Sequence, residues 1–374
     1  MSTLQATNLK HNASASNNIV LDSSGNATFA GTAVPSSSFL RNRIINGDMR
    51  IDQRNAGASG TSNGYTVDRF AYFGSQSSKG TWQQNAGSVT PPAGFTNYLG
   101  FTSSSAYSVL STDEFEFYQS IEGLNIADLG WGTANAQTVT LSFWVRSSLT
   151  GTFGGALGNS AGNRSYPYTY TISAANTWER KTVTIPGDTS GTWLTTNGIG
   201  IAVYFGLGVG TSKSGTAGAW AGSYFPSATG ATSVVGTNGA TFYLTGVQLE
   251  VGTVATPFER RQFGQELALC QRYFQRIGST FFGATEGSTT FNLQVPFWVP
   301  MRASSTVSGV SGGIFSCRYS GDTNITNPTL ANISSTAENV WLQVVSSGLI
   351  SGVPIYGRSQ NHPTSNFLNA SAEL

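Results

Sequence analysis

Apolar and polar residues alternate with period two over most of this chain, and helical spacing surfaces at one place only. Val139, Leu141, Phe143 and Val145 alternate with Thr140, Ser142, Trp144 and Arg146, which predicts a strand with one apolar and one polar face. Met49 and Ile51 alternate with Arg50 and Asp52, and residues 178–185 and 199–207 alternate in the same way. Tyr166, Tyr168 and Tyr170 form an aromatic stripe, and Pro167 within it predicts an edge strand, because proline cannot donate to a ladder. Later, Phe291, Leu293, Val295, Phe297 and Val299 predict a long strand ending at Pro300, and residues 341–345 and 350–355 predict two more.

The rest of the chain is organised around residues 241–276. Phe242 and Leu244 share one phase, whereas Val247, Leu249 and Val251 share the other. The phase changes at Gly246, where glycine permits a β-bulge. Pro257 disfavours helix at Thr256. Beyond it Phe263, Leu267, Cys270 and Phe274 carry helical spacing and predict the chain's one helix, over 261–276.

These elements predict an all-β chain with an extended N-terminal segment (1–40), a large jelly-roll β-sandwich (41–260), the short linking helix (261–276) and a second, smaller C-terminal β-sandwich (277–374). In the first segment a hairpin is expected from Ile19–Leu21, a turn over 22–26 and Ala27–Phe29. With so few large apolar side chains, residues 1–40 are expected to order only against a partner, and Pro35 with Ser36, Ser37 and Ser38 reads as a joint. Residues 208–239 read as a long surface loop carrying Trp220, Tyr224 and Phe225.

Composition fits the pattern. Of 374 residues, 10% are charged, 12% are aromatic and 45 are glycine, while 39% hydrophobic residues suffice for real cores. The net charge is +1 and no Lys/Arg run exceeds two residues, so a nucleic-acid footprint is not expected. No apolar run approaches the ~20 residues of a membrane span, and the first ten residues show no secretory pattern. Cys270 and Cys317 read as unpaired thiols. His11 and His362, the only histidines, stand near opposite ends, so neither zinc chemistry nor a cofactor is expected.

Motif matches are weak. Gly158-Asn159-Ser160-Ala161-Gly162 has the letters of a nucleophile elbow without an evident preceding strand, following helix or histidine base, and Gly206-Leu207-Gly208-Val209-Gly210 follows a strand but opens no helix. Asp113, Glu114, Glu116 and Glu122 cluster, and paired carboxylates can hydrolyse glycans; the alternative is a solvated or ion-paired strand edge. The chain is therefore expected not to be an enzyme. Aromatic residues are the better candidates, since flat rings beside hydroxyls and guanidinium groups suit sugar faces. Trp144 with Arg146, Trp178 with Arg180, and Trp220 are candidate glycan contacts, as are Tyr319, Arg358 and His362 on the polar C-terminal loops 318–327 and 357–366. The competing reading places such rings in a core or a subunit interface.

Three passages carry a resemblance. Residues 42–54 (NRIINGDMRIDQR) with 64–70 (GYTVDRF) resemble the opening of a jelly-roll domain found in bacteriophage tail-fibre and related virion proteins. Residues 242–261 (FYLTGVQLEVGTVATPFERR) with 266–276 (ELALCQRYFQR) are similar to that domain's closing strand and following helix. Residues 295–304 (VPFWVPMRAS) and the terminal SAEL resemble the C-terminal domain of such fibres, and NNIVLDSSGNATFAG resembles the leader that joins fibres to a virion. The resemblance implies a homotrimeric virion appendage, attached through residues 1–40 to other phage tail or virion proteins, with a host cell-surface glycan as its partner during adsorption. The alternatives are a purely structural appendage and, more weakly, a glycan hydrolase. Related carbohydrate-binding jelly rolls hold calcium through acidic residues. Asp48 is present here, but Thr245-Gly246 stands where the closing strand would supply an acid, so no metal is expected.

Overall fold

The structure, a computed structural model, describes residues 8–9, 19–21, 27–29, 41–277, 280–309, 315–319, 323–325, 329–345, 354–359 and 368–374. Of the sequence-derived candidates, His362 lies outside the described residues, and Tyr319 and Arg358, expected on loops, are instead positions on strands Phe315–Tyr319 and Pro354–Ser359.

The all-β architecture follows from the alternation. Two antiparallel sheets face each other across one apolar core. The six-stranded sheet runs Ser165–Ile172, Gly151–Gly158, Ile199–Val209, Glu114–Glu122, Phe70–Gly74, Gly64–Val67 in spatial order. The five-stranded sheet runs Glu179–Ile185, Val139–Ser147, Thr241–Val251, Leu99–Ser103, Gly80–Gln84. Val139, Leu141, Phe143 and Val145 are fully buried, as are Ile201, Val203, Phe205 and Leu207 on the facing sheet. The Pro167 strand is an edge, as its proline requires. Its three tyrosines point into the core, and the Tyr168 hydroxyl donates to the Tyr204 carbonyl at 2.7 Å.

At Gly246 the expected bulge is present: pairing with Val139–Ser147 shifts between Thr245 and Gln248. Gly246 has φ +62°, and an added Cβ would stand 2.7 Å from the Phe95 ring. The bulge turns Phe242, Leu244, Val247 and Leu249 all inward despite their two phases.

Residues 41–54 differ from expectation. The alternation at Met49 and Ile51 does not form a strand; the segment turns. Asn46 (φ 58°) and Met49 (φ 59°) adopt left-handed backbone, which breaks any ladder. The Asn46 side chain holds the turn, accepting from Ile51 N at 3.0 Å and donating to the carbonyls of Ile51 and Asp68 at 2.8 and 2.9 Å. Ile44, Met49 and Ile51 are still buried, so the alternation marks inward-facing side chains carried on a looped backbone.

The helix spans Phe263–Gln271, shorter than the spacing suggested. Phe263 is 56% exposed and Phe274 belongs to the next strand, Phe274–Ile277, leaving Cys270 as the deeply buried member of the stripe. Burial pushes the Cys270 thiol well up. Glu122 anchors this junction, accepting from Arg272 at 3.1 and 2.7 Å and from the Tyr273 hydroxyl at 2.7 Å.

Beyond the helix, Phe274–Ile277, Leu368–Ser371 and Thr306–Gly309 form one three-stranded sheet. A seven-stranded sheet runs Thr323–Ile325, Phe315–Tyr319, Pro354–Ser359, Thr280–Thr285, Thr290–Pro296, Asn339–Val345, Thr329–Ser335. The strand expected to reach Pro300 ends at Pro296, and Trp298 is exposed. At the N-terminus, Ile19–Leu21 and Ala27–Phe29 pair as the expected hairpin, with Asn8–Leu9 added as a third strand.

Candidate functional site

The strand Glu114–Glu122 (EFEFYQSIE) sends Phe115, Phe117 and Ile121 into the core. Its other phase, Glu114, Glu116, Tyr118 and Ser120, lies on the outer face of the six-stranded sheet. The neighbouring strand Ile199–Val209 places Ala202 and Tyr204 on that same face. Register then decides the chemistry: Tyr204 pairs with Tyr118, Ala202 with Ser120, and Gly206 with Glu116. The two cross-strand tyrosine rings lie 6.0 Å apart at 33°.

These residues line a cleft of about 260 Å³, with Phe73, the Asn159–Ser160 turn, Ile199, Tyr224 and Leu374 completing its walls. The Tyr224 ring stands edge-on to Tyr204 at 5.8 Å. Small residues keep the sheet side low: Gly206 opposite Glu116 has no side chain, and a Cβ there would meet Ser227 at 2.7 Å.

Glu116 is 2% exposed. One carboxyl oxygen accepts from the Tyr224 hydroxyl at 3.2 Å, and the other has no hydrogen-bond partner. Burial first, and the charge of Glu114 second, push this carboxyl up to about 8, with the Tyr224 hydroxyl and Lys213 pulling weakly the other way. Burial also raises Glu114, offset by Lys213, whose Nζ lies 3.5 Å from it and 5.1 Å from the Tyr224 ring centroid. Burial raises Tyr118, Tyr204 and Tyr224 as well, so all three remain neutral hydroxyl donors and acceptors at physiological pH.

The sequence-derived candidates divide into three groups. Trp144, Arg146, Trp178 and Arg180 come together on the outer face of the five-stranded sheet, with Arg180 directly opposite Trp144. Three of the four bond to the chain itself: Trp178 Nε1 to the Thr90 carbonyl at 2.9 Å, Arg146 Nε to that of Asn176 at 2.9 Å, and Arg180 to that of Thr256 at 2.6 Å. Trp178 stands edge-on to Tyr98 at 5.7 Å, and Arg146 lies 5.3 Å above the Tyr243 ring. Trp220 is elsewhere, against Trp131, Trp193 and Tyr166 at 5.3, 5.4 and 5.2 Å, with its indole N–H on the Pro186 carbonyl. The acidic cluster splits. Asp113 holds a turn through Tyr107, Leu110 and Ser75, Glu122 anchors the helix junction, and only Glu114 and Glu116 share the cleft.

Glu114 and Glu116, legible in the sequence as a hydrolytic pair, thus stand in a cleft whose Tyr118 and Tyr204 carry no sequence motif. The available signal was the outward phase of two strands already predicted or predictable, each carrying one tyrosine. Nearby, the Asn159 side chain closes a turn by accepting from Asn163 N and Arg164 N at 3.2 and 3.1 Å, so the elbow-like letters there form a hairpin turn. Asp48 is ion-paired with Arg50 at 2.8 Å, and no metal-ligating cluster occurs among the described residues.

No protein-family model matches the chain, and no curated protein matches it. Among solved structures, similarity extends to a protein of Bacteroides thetaiotaomicron described as sugar binding, with 12% identity over 56% of this chain and 100% of that one and a TM-score of 0.33. It extends also to a family 11 carbohydrate-binding module from Clostridium thermocellum, seen with a β-1,3-1,4-mixed-linked tetrasaccharide, at 11% identity over 53% of this chain and 98% of that one, TM-score 0.26. A second structure, the family 11 module of a Clostridium thermocellum cellulosomal cellulase, gives 10% identity over the same shares and a TM-score of 0.25. Likenesses at these scores carry no argument about this chain.

Proposed function

We propose that the chain is a glycan-binding protein of a virion appendage and that the cleft on the six-stranded sheet is its sugar site. The observation that carries the glycan reading is the Tyr118–Tyr204–Tyr224 wall standing around a carboxyl with one unpartnered oxygen. Sugar rings present apolar C–H faces and hydroxyl edges, and a wall of neutral phenols above carboxyl and amide groups matches both. Binding rather than catalysis is proposed, because Glu114 is paired with Lys213 and, among the described residues, no second free carboxylate side chain stands beside Glu116 to complete a hydrolytic pair.

The virion assignment, the homotrimer and host adsorption rest on the sequence resemblance. Support for attachment through residues 1–40 comes from the exposed Val20 and Leu21 on the small N-terminal sheet, which offers apolar side chains to a partner. Binding of the purified chain to a glycan array, with Tyr204→Ala as control, tests the sugar reading: a hit that Tyr204→Ala abolishes supports it, and no hit, or a hit indifferent to Tyr204→Ala, removes it. Native mass measurement giving three chains supports the appendage; a stable monomer at micromolar concentration counts against it.

A further inference from the structure

The chemistry of the cleft narrows its ligand further than the presence of tyrosines does. None of the residues lining it is cationic. Lys213, at its rim, is engaged by Glu114 at 3.5 Å. Arg69, further along the sheet, is bonded to Glu373 and to the Ser120 carbonyl. A sugar carboxylate entering here would meet Glu114 and find no free counter-charge, which disfavours uronic and sialic acids.

We propose that the cleft takes an uncharged sugar and that Glu116 meets it as a neutral carboxylic acid, donating its O–H to a sugar oxygen. This rests on the glycan reading of the cleft. The geometry supplies the donor: Glu116 lines the cleft, Tyr224 already occupies one of its oxygens as a donor, and the other oxygen, buried and without a partner, is left to carry the proton. The groups facing Glu116 all favour its neutral form or act weakly. Glu114, two residues away on its own strand, adds like charge. Tyr118 on that strand, Tyr204 on the next and Tyr72 on the opposite side are phenols held neutral by burial. Phe73 and Gly206, its direct partners on either side, bring no charge. Only Lys213 and the Tyr224 hydroxyl favour ionisation.

The test reads the full chain on an array of neutral and of uronate- or sialate-bearing oligosaccharides at about pH 6.5 and about pH 9, then titrates the strongest neutral hit against wild type, Glu116→Gln and Glu116→Ala. With the free carboxyl titrating at about 8, a ligand that binds only the protonated form loses about tenfold in affinity between those two pH values. Glutamine keeps an N–H donor and cannot ionise, so the Glu116→Gln ratio between the two pH values stays within about twofold. Glu116→Ala weakens binding at both. Circular dichroism at the higher pH confirms that the fold persists. Acidic glycans bound as well as neutral ones, wild-type affinity that rises with pH, or a Glu116→Gln ratio equal to wild type overturns this inference while leaving the glycan reading intact. Silence across the whole array overturns both. Independently of any ligand, a side-chain carboxyl carbon signal that disappears in Glu116→Gln must titrate well above the ordinary glutamate range; titration near 4.5 overturns the inference.

Discussion

Glu116→Gln is the substitution whose effect on stability follows most directly from the structure. The folded chain holds the Glu116 proton up to about 8, against 4.5 for an ordinary glutamate, because the carboxyl is buried and stands beside Glu114. Between those values the native state binds a proton that the unfolded state has released. The contribution of Glu116 to stability is therefore greatest below pH 4.5 and falls as pH rises towards 8, after which it levels off. Integrated from about pH 5 to about pH 7, the loss is roughly 2–3 kcal/mol. Glutamine fills the same space, can accept from Tyr224 as the acid does, and has no proton to lose. The gap between variant and wild type should accordingly widen with pH, by about 5–10 °C in Tm over that interval for a sandwich of this size. Asp68, pushed up to about 6 by burial, slopes in the same direction but is common to both proteins and cancels. Thermal melts followed by near-UV circular dichroism across this range provide the measurement. Parallel curves for the two proteins would show that Glu116 is already ionised in the folded chain and that burial does not control it.

Three further substitutions probe the frame around the cleft. Gly246→Ala should destabilise by about 1–3 kcal/mol in urea, since the new methyl meets the Phe95 ring at a backbone angle that L residues avoid. Asn46→Ala should cost about 2–4 kcal/mol, because the Ile51 amide and two carbonyls lose their partner in a buried turn; a cost within experimental error would mean that the turn is held by packing alone. Arg272→Ala should cost about 3–5 kcal/mol by leaving the buried Glu122 carboxylate under-compensated, and Glu122→Gln in the same chain should recover most of it. Additive losses in that cycle would refute the coupling.

Period two made the fold legible because each sandwich strand buries one face, and Gly246 and Pro167 each carried a local meaning that the structure honours. Residues 41–54 were not legible as turns. Their buried side chains alternate by accident of a looped path, and nothing short of the Asn46 hydrogen bonds reveals the left-handed backbone. The helix was overextended because Phe274 continues the spacing after the chain has become a strand. The cleft was hidden for a different reason. Tyr118 and Tyr204 are 86 positions apart, and only antiparallel register sets them side by side. Trp144 and Trp178, by contrast, advertise themselves in sequence, yet the structure engages Trp178 with Tyr98 and the Thr90 carbonyl and sets Trp144 opposite Arg180.

Sugar binding is proposed for the tyrosine wall of the six-stranded sheet and not for the tryptophan face of the five-stranded one. Calorimetric titration of the strongest array hit against wild type, Tyr204→Ala and Trp178→Ala puts that placement to the test. Tyr204→Ala should lose at least about tenfold in affinity, given the ~1–3 kcal/mol expected of an aromatic platform, while Trp178→Ala should bind as wild type does. Affinity that survives Tyr204→Ala and collapses in Trp178→Ala would contradict it.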